Sequence, residues 1–236
     1  YDKFEIVKKI FKQADEKLNF PLSKIILHGP EEDLKLTKNT QPAILTVSYS
    51  IFKVLRDEFN FNTNSFNYFA GHSLGEYSAL VCSNSLSFLD ALYLLHERGK
   101  SMQEAVPEGT GAMLAVMGIK LDELEKLVQK LTTDFGVCEI ANDNSEGQIV
   151  LSGKTEDLEK LIQILKDNSI KNIKLPVSAP FHCDLMKNAT KIMEDELNKL
   201  NFKEGQNKLI SNVTANEIKG TDELKSLLIK QIENRV

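Results

Sequence analysis

From Asp2 to Leu18, the residues Phe4, Ile6, Val7, Ile10, Phe11, Ala14 and Leu18 recur on one face of a 3.6-residue repeat, which predicts an amphipathic helix. Ser23 to Leu27 and the polar run up to Thr40 read as a connector. Pro42 suits the first turn of a helix, where its missing N–H costs nothing, and helical periodicity continues from Ala43 to about Phe59. Phe66 to Ala70 is a short aromatic run that predicts a buried strand about to end. Leu74 to Cys82 returns to helical spacing, and Ser87 is a natural N-cap for a helix from Phe88 to about Ala105.

At Gly109 the pattern changes. A strand is expected over Gly111–Gly118, a helix over Asp122–Leu131, strands over Val137–Ala141 and Gln148–Leu151, a helix over Thr155–Lys166 capped by Thr155, and a strand over Ile170–Leu175. Strand-helix-strand-strand-helix-strand is the ferredoxin-like order. The expected fold class is therefore α/β: a larger α/β-hydrolase-like domain with a mainly parallel sheet, formed by residues 1–108 and 177–236, and an inserted ferredoxin-like α+β subdomain over 109–176. Past Pro176 a helix is expected from Asp184 to Leu200, a strand over Leu209–Val213 and a last helix from Asp222.

Between the strand at 66–70 and the helix at 74–82 lies Gly71-His72-Ser73-Leu74-Gly75. A serine at such a sharp turn projects its hydroxyl above the sheet edge and needs small neighbours, which the two glycines supply. The amide of Leu74, opening a helix, is a ready donor for a developing oxyanion. The competing reading is a serine N-cap in a glycine-rich turn. On the following helix, Ala91, Leu95, Arg98, Met102 and Ala105 share an inward stripe, so Arg98 is a charge in an apolar position. Either it makes a structural ion pair or snorkels, or its planar fork binds a substrate carboxylate.

A serine nucleophile needs a general base, and the chain has four histidines. His72 adjoins the serine and is expected to pack or hydrogen-bond behind the turn, His28 lies in the polar connector, and His96 lies on a helix face read as exposed. His182 ends Pro176-Val177-Ser178-Ala179-Pro180-Phe181-His182, a proline-punctuated loop at the expected domain junction, and is the favoured base. Position alone leaves a structural role equally open.

Composition narrows this further. With 29 basic against 34 acidic residues, a formal charge of −5 and scattered lysines, nucleic-acid binding is not expected. No apolar run approaches the roughly 18 residues of a membrane span. Cys82, Cys138 and Cys183 are too dispersed for a disulfide framework or zinc site, which favours a reducing compartment.

Gly71–Leu80 (GHSLGEYSAL), Arg98–Met113 (RGKSMQEAVPEGTGAM), Ala141–Gly153 (ANDNSEGQIVLSG) and the segment ending at His182 together resemble the malonyl-CoA:acyl carrier protein transacylase family of type II fatty acid synthesis, in the family's order. The resemblance implies a ping-pong acyltransferase: Ser73 is acylated by malonyl-CoA, His182 takes and returns the proton, Arg98 holds the malonyl carboxylate, and Leu74 supplies one oxyanion amide. It also implies that main-chain groups, not an acidic third residue, orient the histidine, leaving Asp184 as a helix cap. Phe181 and Leu74 match the malonyl-selective pattern, and Asn142 and Asn144 either contact the pantetheine arm or satisfy a tight turn. The implied partners are malonyl-CoA and acyl carrier protein, with no metal and no cofactor beyond coenzyme A as the substrate thioester, acting as a monomer. A family member would begin with a further strand and glutamine loop and continue past Val236, so the chain reads as truncated at both ends. The compartment expected is the cytoplasm of a bacterium, or a plastid or mitochondrion of a eukaryote. Two rival functions remain: a serine hydrolase or thioesterase, and a noncatalytic carrier-protein docking domain using Lys166, Lys171, Lys174, Lys187 and Lys191.

Overall fold

The computed structural model describes residues 1–135, 137–177 and 179–236, with the side chains of residues 130–135 and all of Ser178 outside the described set. The chain divides into two compact units, Tyr1–Lys100 with Met193–Leu227, and Ser101–Ile192 with Leu228–Val236. It is a mixed α/β protein with one parallel sheet and a separate antiparallel one.

The first unit opens with helices α1 (Glu5–Leu18), α2 (Leu22–His28), α3 (Glu31–Lys35) and α4 (Thr37–Asp57). The expected stripe of α1 is present, with Val7, Ile10, Phe11 and Ala14 buried. The expected connector is helical instead, and α4 begins early enough to place Pro42 inside the helix rather than in its first turn. Proline has no N–H for the carbonyl one turn back, that of Lys38. That carbonyl is taken by Nδ1 of His96 at 3.0 Å, and since a carbonyl only accepts, His96 carries its proton on Nδ1. His96 is accordingly half-buried beside Phe20, not on an exposed face.

Strand β1 (Tyr68–Phe69) leads into α5 (Gly75–Cys82) and then α6 (Phe88–Glu104). Ser87 caps α6 as expected: the Asp90 N–H donates to Ser87 Oγ at 3.1 Å and Ser87 Oγ donates to the Asp90 carboxylate at 2.6 Å. Ala91, Leu95, Arg98 and Met102 are all buried along its inner stripe.

In the second unit, β2 (Gly111–Met117), α7 (Leu121–Phe135), β3 (Cys138–Ser145), β4 (Gln148–Lys154), α8 (Thr155–Asp167) and β5 (Lys171–Lys174) follow the expected order. The sheet order is β3-β4-β2-β5 with every neighbour antiparallel. The period-2 alternation of β2 sends Ala112, Leu114 and Val116 into a core with Leu124 and Val128 of α7 and Leu158, Leu161 and Leu165 of α8. Met113 faces the opposite side, with Ala141, Val150 and Phe181. Strand β3 runs longer than its apolar stretch because the polar residues 142–145 are paired across a hairpin with β4. Thr155 is not a cap: Lys154 holds that position, and the Thr155 hydroxyl donates to the Gly109 carbonyl at 2.8 Å.

The chain then runs through α9 (Lys187–Asn198), β6 (Lys208–Leu209) and α10 (Gly220–Lys230). Strand β6 joins β1 in the first unit as a parallel pair, Tyr68 opposite Lys208 and Phe69 opposite Leu209. The expected strand to Val213 stops early because Ser211 turns back, its N–H donating to Asn216 and its carbonyl accepting from Ala215. Among the described residues no helix is long and apolar enough to cross a membrane, and no cluster suited to a metal ion occurs.

Candidate active site

Ser73 sits between β1 and α5 with φ of 51°, a left-handed conformation that costs a non-glycine residue about 1–3 kcal/mol. The turn closes through Gly75 N–H to the His72 carbonyl at 2.8 Å and Glu76 N–H to the Ser73 carbonyl at 3.0 Å. Only one of the two glycines answers to crowding. A Cβ on Gly71 would lie 1.9 Å from the Gly75 carbonyl oxygen, whereas one on Gly75 meets nothing within 4 Å. The expectation that both glycines relieve a clash therefore holds for Gly71 alone. His72 is exposed.

Asn212, in the loop after β6, grips this turn. Its Oδ1 accepts from the Ser73 N–H at 2.6 Å, its Nδ2 donates to the Gly71 carbonyl at 2.7 Å, and its own N–H donates to the Glu76 carboxylate at 3.4 Å. With the Ser73 amide engaged, the next amide, that of Leu74, is the one that has no acceptor among the described residues.

Arg98 is 1% exposed, and its guanidinium donates from Nη2 to Ser73 Oγ at 3.0 Å and from Nη1 to Gln41 Oε1 at 2.7 Å. Its guanidinium carbon lies 5.9 Å from the centroid of the buried Tyr77 ring. Burial pulls its pKa below the ordinary arginine value, while nearby Tyr77 and the buried carboxyl of Glu76 pull the other way. Arginine begins so far above neutrality that the group stays a cation. Gly99 makes this arrangement possible. A Cβ there would fall 2.4 Å from the Thr37 carbonyl, so glycine lets α6 close against the start of α4 and bring Arg98 to Gln41.

In the second unit, His182 is 4% exposed and also left-handed, with φ of 60°. Its Nδ1 lies 2.7 Å from the main-chain carbonyl of buried Gln231. That carbonyl can only accept, so Nδ1 carries the proton and Nε2 presents the lone pair. The loop carrying His182 is anchored where the Pro180 ring fills the space a side chain on Gly111 would need, 2.3 Å from its Cβ position. Phe181 packs beside Met113, Ala141 and Val150.

Asn142 and Asn144 lie on β3, not in the turn, which is Glu146-Gly147 with Gly147 at φ 73°. Asn142 is buried opposite Val150, and Asn144 is exposed at a register shift between Asp143 and Ser145. Asp184 is not a cap either. Cys183 occupies that position, and Asp184 pairs with Lys187 at 2.6 Å. Lys166, Lys171, Lys174, Lys187 and Lys191 are all exposed.

Thus Ser73, Leu74 and Arg98 come together in the first unit, and His182, Phe181 and the two asparagines belong to the second. Sequence reasoning missed Gln41, Glu76 and Asn212.

The acyl transferase domain model matches residues 5–226. A malonyl CoA-acyl carrier protein transacylase of Bacillus subtilis strain 168 is 39% identical over 100% of this chain and 74% of its own length. The crystal structure of an acyl-carrier-protein S-malonyltransferase from Bartonella henselae superposes with a TM-score of 0.95 at 36% identity, covering 100% of this chain and 75% of that one. A malonyl-transacylase solved in complex with its type II polyketide acyl-carrier protein gives 0.93 at 35% identity, covering 99% and 74%. With a serine turn and a buried arginine placed as described, and likeness along its whole length, the chain belongs to the acyl transferase family, among the malonyl CoA-acyl carrier protein transacylases.

Proposed function

We propose that this chain moves a malonyl group from malonyl-CoA to the phosphopantetheine thiol of an acyl carrier protein through a malonyl-Ser73 ester. The observation that carries this reading is the 3.0 Å bond from buried Arg98 to Ser73 Oγ. A cation fixed beside the nucleophile selects an acyl group with a carboxylate of its own, and the two named bonds of Arg98 are to neutral oxygens that a carboxylate outcompetes. The relatives' names supply the donor and acceptor.

In this reading His182 Nε2 takes the Ser73 proton as Oγ attacks the thioester carbonyl, and the Leu74 amide steadies the oxyanion. Collapse breaks the carbon–sulfur bond, and coenzyme A leaves with the proton from His182. The carrier thiol then attacks the malonyl ester with His182 again as base, restoring the serine. Phe181 and Leu74 limit the acyl group to unbranched malonyl, Asn142 and Asn144 contact the pantetheine arm, and no cofactor is used.

The order β3-β4-β2-β5 with α7 and α8 packed on one face supports a ferredoxin-like subdomain over 109–176. In the same reading the remaining residues, 1–108 and 177–236, form an α/β-hydrolase-like domain, and the chain acts as a monomer. The functional test is malonyl-CoA with carrier protein, following malonyl-carrier formation and malonate release together. Transfer well in excess of release supports the reading, and malonate release without transfer sinks it in favour of a hydrolase.

A further inference from the structure

The parallel pair β1–β6 stops after two residues, yet its ladder continues. Lys208 N–H donates to the Asn67 carbonyl and Ile210 N–H to the Phe69 carbonyl, at 3.0 and 3.1 Å. In a parallel pair each second residue donates to the residue before its opposite number and accepts from the residue after it. The next rung therefore calls for a donor to Gly71 O and an acceptor for Ser73 N–H, both from position 212. Asn212 supplies both, with its side chain: Nδ2 to Gly71 O at 2.7 Å and Oδ1 from Ser73 N–H at 2.6 Å. Its backbone N–H, released from the ladder, goes to Glu76 on α5.

We infer that Asn212 is a positioning residue for the nucleophile, its carboxamide standing in for a rung of the parallel sheet and holding Ser73 in the left-handed conformation that aims Oγ. The inference deepens the proposed function, because it rests on Ser73 being the nucleophile. A backbone rung would continue the strand and carry Ser73 with it into extended geometry. A side-chain rung grips the residues on either side of His72 while the chain turns. The same bond withholds the Ser73 amide from the oxyanion and leaves that task to Leu74.

The test is the second-order rate of Ser73 labelling by a fluorophosphonate, beside malonyl acylation from malonyl-CoA, in wild type, Asn212→Ala, Asn212→Asp and Ser83→Ala. Ser83 is a fully buried hydroxyl of the same unit, bonded to the Leu80 carbonyl and Ser85, and controls for lost stability. Asn212→Ala should label at least tenfold more slowly with the KM for malonyl-CoA changed less than threefold. Asn212→Asp, which keeps the acceptor and loses the donor, should fall between it and wild type, and Ser83→Ala should stay within twofold of wild type. Labelling of Asn212→Ala within twofold of wild type overturns the inference, as does an equal slowing in Ser83→Ala at matched loss of melting temperature. If Asn212→Ala does not fold, Asn212→Asp decides alone, a threefold or greater slowing supporting the rung and a wild-type rate overturning it. Phosphonate labelling needs no acyl donor, so a wild type that labels but takes no malonyl group contradicts the malonyl reading alone, while the variant ratios still decide the rung.

Discussion

Arg98 donates to Ser73 Oγ across 3.0 Å while being only 1% exposed. A guanidinium buried this deeply is held by the residues around it, not by solvent. Removing it should discriminate between acyl groups: truncating one side of a buried charge contact costs about 2–5 kcal/mol, roughly thirtyfold to several-thousandfold in kcat/KM for malonyl-CoA. Arg98→Ala should at the same time gain in transfer of uncharged acetyl relative to malonyl. Parallel kcat/KM measurements with the two donors check this, and an equal loss for both would mean that Arg98 does not act as a carboxylate clamp.

Gln41 orients the fork of Arg98 through a 2.7 Å bond to Nη1. Gln41→Ala should raise the KM for malonyl-CoA roughly tenfold, the scale of a hydrogen bond to a charged group, with kcat affected less. Steady-state kinetics would reveal the opposite pattern, a fall in kcat at constant KM, if Gln41 acted on chemistry rather than on carboxylate binding.

The two glycines of the serine turn should behave differently. Gly71→Ala places a methyl on the Gly75 carbonyl and should abolish phosphonate labelling of Ser73 or prevent folding. Gly75→Ala meets no neighbour within 4 Å and lies in a helix, so it should melt within about 1 kcal/mol of wild type. Comparable losses in both, measured by thermal melting, would mean that crowding is not what selects glycine there.

What the sequence made legible follows periodicity and local geometry. Arg98 stands out because its helix repeats Ala91, Leu95 and Met102 around it, and Ser73 because a turn between strand and helix needs glycine at 71. Asn212 and Gln41 were invisible because each reaches the site as a single polar side chain from a segment 139 or 57 residues away along the chain. The connector before α4 was misread because short helices with exposed polar faces carry little periodic signal, and Pro42 was misplaced because His96 supplies the donor that proline lacks. The βαββαβ order was legible because β2, β4, α7 and α8 each send apolar residues at their own period into one core.

Glu139 gives the second unit a pH-dependent stability. Burial raises its carboxyl pKa above the ordinary glutamate value, with Asp184 adding to the shift, against a weaker opposing pull from the Asp184 N–H and Lys187. An acid whose native pKa is raised binds its proton more tightly when folded, so stability falls as pH rises from the ordinary value through the raised one. Glu139→Gln should therefore raise the melting temperature at pH 7 and leave it nearly unchanged at pH 4. A melting temperature lowered at both pH values would show the carboxylate to be stabilising instead.

Whether Ser73 carries a malonyl group selected by Arg98 can be read from peptide mass spectrometry after brief exposure to malonyl-CoA or acetyl-CoA. Burial pushes the Cys82 and Cys138 thiols up to about 12 and Cys183 to about 11, so none of the three should compete for the acyl group at neutral pH. A malonyl adduct is expected on the Ser73 peptide, absent in Ser73→Ala, with little acetyl adduct in wild type and a reversed preference in Arg98→Ala. Acetyl and malonyl adducts formed equally well on Ser73, or a malonyl adduct on another residue, would contradict it.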